Sequence, residues 1–210
     1  MRVGGDGVNK YLVFDIKATT TLPAVTGEIK MDRKADIKLA RITGDGRVAI
    51  PIYGALRGYL ERILRENGEN VCDTGMKDAK PCGRCVLCDL FGSLGKKGRA
   101  IIDDLVSERS YKEIVHPSVH LRISREDGVV SNTLKIEEIE EGAVFTGKIR
   151  VVDPKPRDKE LIVAGLKAIE EFGIGGWVTR GRGRVKVDFS IQEREWTDFL
   201  KQARNILEKL

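Results

Sequence analysis

All four cysteines of this 210-residue chain, Cys72, Cys82, Cys85 and Cys88, fall in one segment with the spacing C-x9-C-x2-C-x2-C. Gaps of two residues let neighbouring thiolates reach a single ion, and thiolate is the ligand of choice for a closed tetrahedral zinc site. An iron–sulfur cluster is the rival, since a ferredoxin ligand run also begins C-x2-C-x2-C, but the cysteine and proline that complete it do not follow Cys88. Free thiols are the third reading. Disulfides fit poorly, because overlapping C-x2-C pairs are too close for comfortable bridging, and the first residues, Met1-Arg2-Val3-Gly4-Gly5-Asp6, lack the apolar core of a signal peptide. No apolar run reaches membrane-spanning length, so a cytoplasmic protein without a membrane partner is expected. Four cysteine ligands leave no open coordination position. The Zn2+ would therefore be structural, contributing on the order of 10 kcal/mol to ordering an insertion, residues 69–98, of low apolar content.

A second stretch joins a glycine loop to regularly spaced cations: Gly173-Ile174-Gly175-Gly176-Trp177-Val178-Thr179-Arg180-Gly181-Arg182-Gly183-Arg184-Val185-Lys186-Val187. Gly173, Gly175 and Gly176 can adopt positive φ and admit a second backbone, which suits a loop wrapped around a phosphate chain. Read as a strand beyond Trp177, the period of two puts Arg180, Arg182, Arg184 and Lys186 on one face. Protection of a sheet edge against aggregation is the plainer alternative. Four cations beside a tryptophan fit single-stranded nucleic acid better, and the formal net charge of +5 permits that partner. If about four phosphates are neutralised, binding should weaken roughly fifty-fold between about 50 and 200 mM salt.

In chain order, residues 11–20 are rich in β-branched and aromatic types and read as a first strand. Residues 21–47, interrupted by Pro23, Gly27, Gly44 and Gly46, read as a long charged loop or hairpin outside the core. Ile50-Pro51 opens a helix whose apolar stripe is Leu56, Leu60, Ile63 and Leu64, with Gly68 as its stop. Residues 100–106 read as one strand, its Asp103-Asp104 pair facing solvent rather than holding a metal. His116 and His120, the only histidines, share a strand face and read as structural. Further strands are expected at 119–123, 133–139 and 143–151. A helix capped by Asp158 carries Leu161, Ile162, Leu166, Ile169 and Phe172 inward and stops at Gly173. A last helix presents Phe199, Leu200, Ala203, Ile206, Leu207 and Leu210, a stripe for packing within the chain or against a neighbouring subunit. The order is that of a single α+β domain of ferredoxin-like or RRM-like type, with insertions at 21–47 and 69–98.

The residues at 173–185 closely resemble the glycine-rich loop of the RAMP superfamily, specifically the backbone subunits of CRISPR effector complexes of type III. Ile50-Pro51 with Gly54-Ala55-Leu56-Arg57-Gly58 is similar to that family's first-helix motif, although one residue longer than the usual Pro-Gly-Ser-Ser-Leu-Lys-Gly. Cys82-Gly83-x-Cys85-x-x-Cys88-Asp89-Leu90-Phe91-Gly92 resembles its cysteine segment, and residues 119–128 resemble its arginine-bearing hairpin.

The resemblance implies a subunit that stacks with further copies of itself along a CRISPR guide RNA, among other effector-complex subunits. On that reading residues 21–47 protrude and interrupt the duplex of guide and complementary target RNA, while Arg57, Arg180, Arg182 and Arg184 contact guide phosphates. Asp36, ahead of Leu39-Ala40-Arg41, is the position similar to the family's cleaving aspartate, which would make the protein an endoribonuclease using Mg2+ or a similar divalent ion. Type I members of the same fold only bind, and stand-alone members process CRISPR RNA; both remain alternatives.

Overall fold

The computed structural model describes residues 10–28, 38–39, 42–76 and 79–208. In chain order the strands are β1 (Lys10–Thr20), β2 (Gly27–Glu28), β3 (Lys38–Leu39), β4 (Arg47–Ile50), β5 (Gly92–Ser93), β6 (Lys96–Lys97), β7 (Ala100–Ile102), β8 (Leu105–Ser110), β9 (Val115–Ile123), β10 (Val130–Ile139), β11 (Val144–Val152) and β12 (Val185–Glu195). The helices are α1 (Tyr53–Glu66), α2 (Val86–Phe91), α3 (Tyr111–Ile114), α4 (Asp158–Phe172) and α5 (Trp196–Leu207).

The alternation in β1 explains its central place: Leu12, Phe14, Ile16 and Ala18 all point into the core, whereas Lys17 faces outward. β1 pairs antiparallel with β11 on one side and with β12 on the other. The main sheet runs β12-β1-β11-β8-β4, with β7 also on β11. Helix α1 buries Leu56, Leu60 and Leu64, spaced one turn apart, and α4 buries Leu161, Ile162, Leu166 and Ile169. The two helices approach closely at Gly165, where a Cβ would lie 2.5 Å from Leu56 Cδ1. Their shared cluster with Phe14, Phe145 and Ile149 is the core. Among the described residues no helix is long and apolar enough to cross a membrane.

Several expectations need correction. Residues 21–47 are not all outside the core: Ala24 and Val25 are buried, bridged to Ile139 and Gly176, before the chain leaves and returns through the short β2–β3 pair. Residues 100–106 form two strands, broken where Asp103 turns out to bind Arg150 at 3.0 Å. Asp158 is the first residue of α4 rather than its cap, its carboxylate accepting the Lys155 amide at 2.7 Å and both nitrogens of the Arg99 fork. Phe172, expected inside, is 55% exposed. Helix α5 buries none of its residues: it is joined to β1 by the Tyr11–Trp196 and Trp196–Phe199 ring contacts, at 5.5 and 5.8 Å, while Leu200, Ile206 and Leu207 stay more than half exposed.

Candidate nucleic-acid interface and metal centre

The loop after α4 is shaped by backbone contacts that only glycine permits. At Gly175 (φ +86°) a Cβ would stand 2.4 Å from Val25 O, and at Gly183 (φ +71°) 1.9 Å from Ile174 O. The loop thus folds against itself, with Ile174 N donating to Gly183 O at 2.8 Å, and against the segment after β1, with Gly176 N donating to Val25 O at 2.7 Å. The close approach read from the glycines is the chain's own.

The loop does not continue as a strand. Val178–Arg180 is a turn of 3-10 helix flanked by left-handed Trp177 (φ 57°) and Gly181 (φ 76°), and β12 begins only at Val185. Alternation therefore stops before Val185, and Arg180, Arg182 and Arg184 point in three directions. The Arg180 guanidinium lies 4.9 Å from the centre of the Trp177 ring. Arg182 Nε donates to Glu138 Oε1 at 2.7 Å, and Arg184 Nη1 donates to Glu171 O at 2.6 Å. Only Lys186 sits on the strand, half extended toward Asp188 at 3.7 Å.

Glu138 ties this loop to the β9–β10 hairpin. Its carboxylate, 8% exposed as a residue, also lies 3.2 Å from His120 Nε2, and the His120 ring meets Trp177 edge-on at 5.0 Å. A left-handed tryptophan is strained, costing about 1–3 kcal/mol, and persists only where surroundings hold it. Here His120, Arg180 and the Gly183 N–H bond to Pro23 O at 2.9 Å supply that hold.

Arg57, expected at a phosphate, is placed differently. It is 6% exposed, and its guanidinium donates to Glu61 Oε1 at 2.9 Å, Gly92 O at 2.8 Å and Tyr53 Oη at 3.3 Å, with Cys88 Sγ at 3.6 Å. Burial opposes its charge, yet these partners, Glu61 foremost, hold its pKa above the usual value. Glu61 in turn accepts from Thr74 N at 2.8 Å and Thr74 Oγ1 at 2.9 Å. The pair clamps α1 to both walls of the cysteine segment. One turn of helix placed the arginine on the buried side, a direction that its neighbours Gly54 and Gly58 did not reveal.

The four cysteine sulfurs converge: all lie within 4.8 Å of one another, with Cys72 Sγ 3.8 Å from Cys85 Sγ and 3.6 Å from Cys88 Sγ. Tetrahedral bonds of about 2.3 Å require sulfur separations of about 3.8 Å. The donor set and its spacing thus suit a metal ion. Backbone amides already point at the sulfurs, from Cys82 to Cys72 at 3.0 Å, from Cys85 to Cys82 at 3.3 Å and from Cys88 to Cys85 at 3.4 Å. The amides of Arg84 and Cys85 draw the Cys82 thiol down to about 6, whereas burial pushes Cys72 up to about 12. Beside the cluster, Asp89 receives Lys155 at 2.7 Å, Lys96 at 3.1 Å and Arg99 at 3.1 Å, which holds its carboxyl well below the usual range. Asp36 lies outside the described residues.

A family model for the RAMP superfamily matches residues 1–186. The chain belongs to that superfamily. It is similar to the CRISPR system Cms endoribonuclease Csm3 of Methanocaldococcus jannaschii, 26% identical over 157 residues, which covers 67% of this chain and 63% of the relative. A chain in the cryo-EM structure of the Type III-B Cmr-beta bound to cognate target RNA has a similar fold, with a TM-score of 0.65 at 17% identity over 89% of this chain and 61% of that one. The RAMP chain therefore spans less than two thirds of the length of either relative. Sequence reasoning singled out its glycine loop and cysteines but missed Glu138, His120 as a loop contact, and the Tyr59–Phe172 ring pair. No sequence period links these positions; only strand pairing and helix packing bring them together.

Proposed function

We propose that this RAMP protein is the backbone subunit of a type III CRISPR effector complex, binding guide RNA through its glycine loop. The observation that carries this is the braced platform at Trp177, with Arg180 over its ring, Arg184 further along the same loop and Lys186 at the start of β12. A ring face stacks on any base, and the adjacent cations neutralise phosphates, which is the chemistry of single-stranded RNA binding. Trp177, Arg180, Arg184 and Lys186 make up the proposed RNA surface, with Gly173, Gly175 and Gly176 shaping it and Arg182 bracing it through Glu138. The relative named an endoribonuclease and the fold neighbour seen with target RNA support the same reading.

In this reading copies of the chain stack along the guide in the cytoplasm, beside other subunits, and the complex pairs with complementary target RNA. The strand order β12-β1-β11-β8, with α1 after β1 and α4 after β11, supports a ferredoxin-like core. The cysteine cluster holds structural Zn2+, for which four thiolates on tetrahedral spacing are the usual set. Asp36 is assigned to target cleavage with Mg2+, where a carboxylate would help hold the ion.

The test assembles the chain with guide RNA and other subunits, then adds complementary RNA and Mg2+ to wild type, Trp177→Ala/Arg180→Ala and Asp36→Ala. Loss of guide binding in the double variant supports the loop. Periodic target cuts that vanish only in Asp36→Ala support cleavage. Guide binding unchanged in the double variant overturns the assignment of the loop, and an intact target in wild type overturns that of Asp36.

A further inference from the structure

Between the second half of α1, the end of α4 and the turn that follows Trp177 lies a cavity of about 570 Å³. Its walls are largely apolar and aromatic, formed by Tyr59, Ile63, Phe172 and Val178, and its charged lining is Arg62, Arg184 and the carboxylate of Glu66. The Tyr59 hydroxyl donates to Gly173 O at 2.8 Å, which fixes its ring, and the Phe172 ring leans on it with centroids 5.7 Å apart at 38°. Phe172 remains 55% exposed at the last residue of α4, where its position in the helical stripe predicts burial. An aromatic side chain withheld from the core next to a functional loop is the kind of local inconsistency that marks a binding site. Arg62 has neither an ion-pair nor a hydrogen-bond partner among the described residues.

We propose that this cavity receives one unstacked nucleotide of the RNA bound at the glycine loop, its base against Phe172 and Tyr59 and its phosphate between Arg62 and Arg184. The inference rests on the RNA-binding reading and adds a subsite to it. Continuity argues for RNA over a protein side chain: Val178, Thr179 and Arg184 on the cavity lining belong to the same loop as Trp177 and Arg180. Charge argues the same way: against the one carboxylate of Glu66 the lining carries two guanidinium groups, and a phosphate takes the unpaired Arg62 together with the donors of Arg184 that its bond to Glu171 O leaves over. A strand of RNA passing over Trp177 can stack one base there and turn its neighbour into the cavity.

The experiment uses the full chain and a short single-stranded RNA carrying 5-iodouridine at one position at a time. Photo-crosslinks are mapped by peptide mass spectrometry, and affinity is measured for wild type, Phe172→Ala, Phe172→Trp and Arg62→Ala. The expected result is a crosslink to Tyr59 or Phe172 from one recurring position, roughly tenfold weaker binding in Phe172→Ala, restored affinity in Phe172→Trp and weaker binding in Arg62→Ala. Phe172 is half exposed, so its removal leaves the core in place, and thermal melts confirm it. RNA that binds wild type and crosslinks only at Trp177, with Phe172→Ala and Arg62→Ala within twofold of wild type, overturns the subsite while sparing the loop. Wild type that binds no RNA overturns the underlying reading instead.

Discussion

Replacing Arg57 by methionine separates the two roles that have been described for this residue. Its guanidinium neutralises Glu61 in a place where both side chains are almost wholly enclosed, at 7% and 2% exposure. Removing one partner of such a pair strands the other charge and costs about 3–5 kcal/mol. The Gly92 carbonyl loses its donor as well. For a chain of this size each kcal/mol shifts the melting temperature by about 2–4 °C, so Arg57→Met should melt roughly 6–20 °C lower. The double variant Arg57→Met/Glu61→Met should recover most of that loss, because no buried charge is left unpaired. Calorimetry or circular dichroism with the metal present measures the melting, and titration of RNA binding against salt measures the second role. A phosphate contact would reduce the steepness of the log–log salt plot by about 0.7 when removed. The structure predicts no such change. An unaltered melting temperature together with a shallower salt plot would refute the buried clamp and return Arg57 to the RNA.

Arg180→Ala should flatten the same salt plot by about 0.7, whereas Arg182→Ala should not, since its charge is committed to Glu138; equal effects would show that the ion pair opens on binding. Chelation or Cys85→Ser should expose the amides of residues 72–99 to hydrogen exchange while β1 and β11 stay protected, and uniform exchange of the whole chain would contradict a locally acting metal. Gly175→Ala forces a Cβ against Val25 O at a left-handed backbone position, so stability should fall by about 1–3 kcal/mol and RNA affinity with it; an unchanged denaturation midpoint would be the contrary result. The Glu170 carboxyl is held below its ordinary value by Lys167 and by the Val187 amide at 3.1 Å. A lowered folded pKa means that its contribution is present above about pH 4.3 and lost as pH falls through the folded value, so Glu170→Gln should cost stability at pH 7 and little at pH 3.

The sequence was legible wherever the signal is local. The β-branched and aromatic run at residues 11–20, the one-turn spacing of Leu56, Leu60 and Leu64, and the stop at Gly173 each report on a segment's own backbone, and the structure follows them. The cysteine spacing is local in the same sense, and three of the sulfurs are held by amides one ligand further along. Helix α5 shows the limit of such patterns: its apolar stripe is present, but a stripe names no partner, and beyond the Phe199–Trp196 ring contact Leu200, Ile206 and Leu207 remain more than half exposed.

What the residues determined by themselves is therefore the first strand, the two core helices α1 and α4, the glycine-dependent turn and the thiol set. Tertiary structure alone decided where the charges point. Arg57 and Arg182 look alike in sequence to Arg180, yet two are consumed by the carboxylates of Glu61 and Glu138 and one is left over a ring. The reason is physical: glycines that take either sign of φ erase the alternation on which face assignments rest, and a buried carboxylate, one helical turn on for Arg57 and forty-four residues away for Arg182, captures the guanidinium that reaches it.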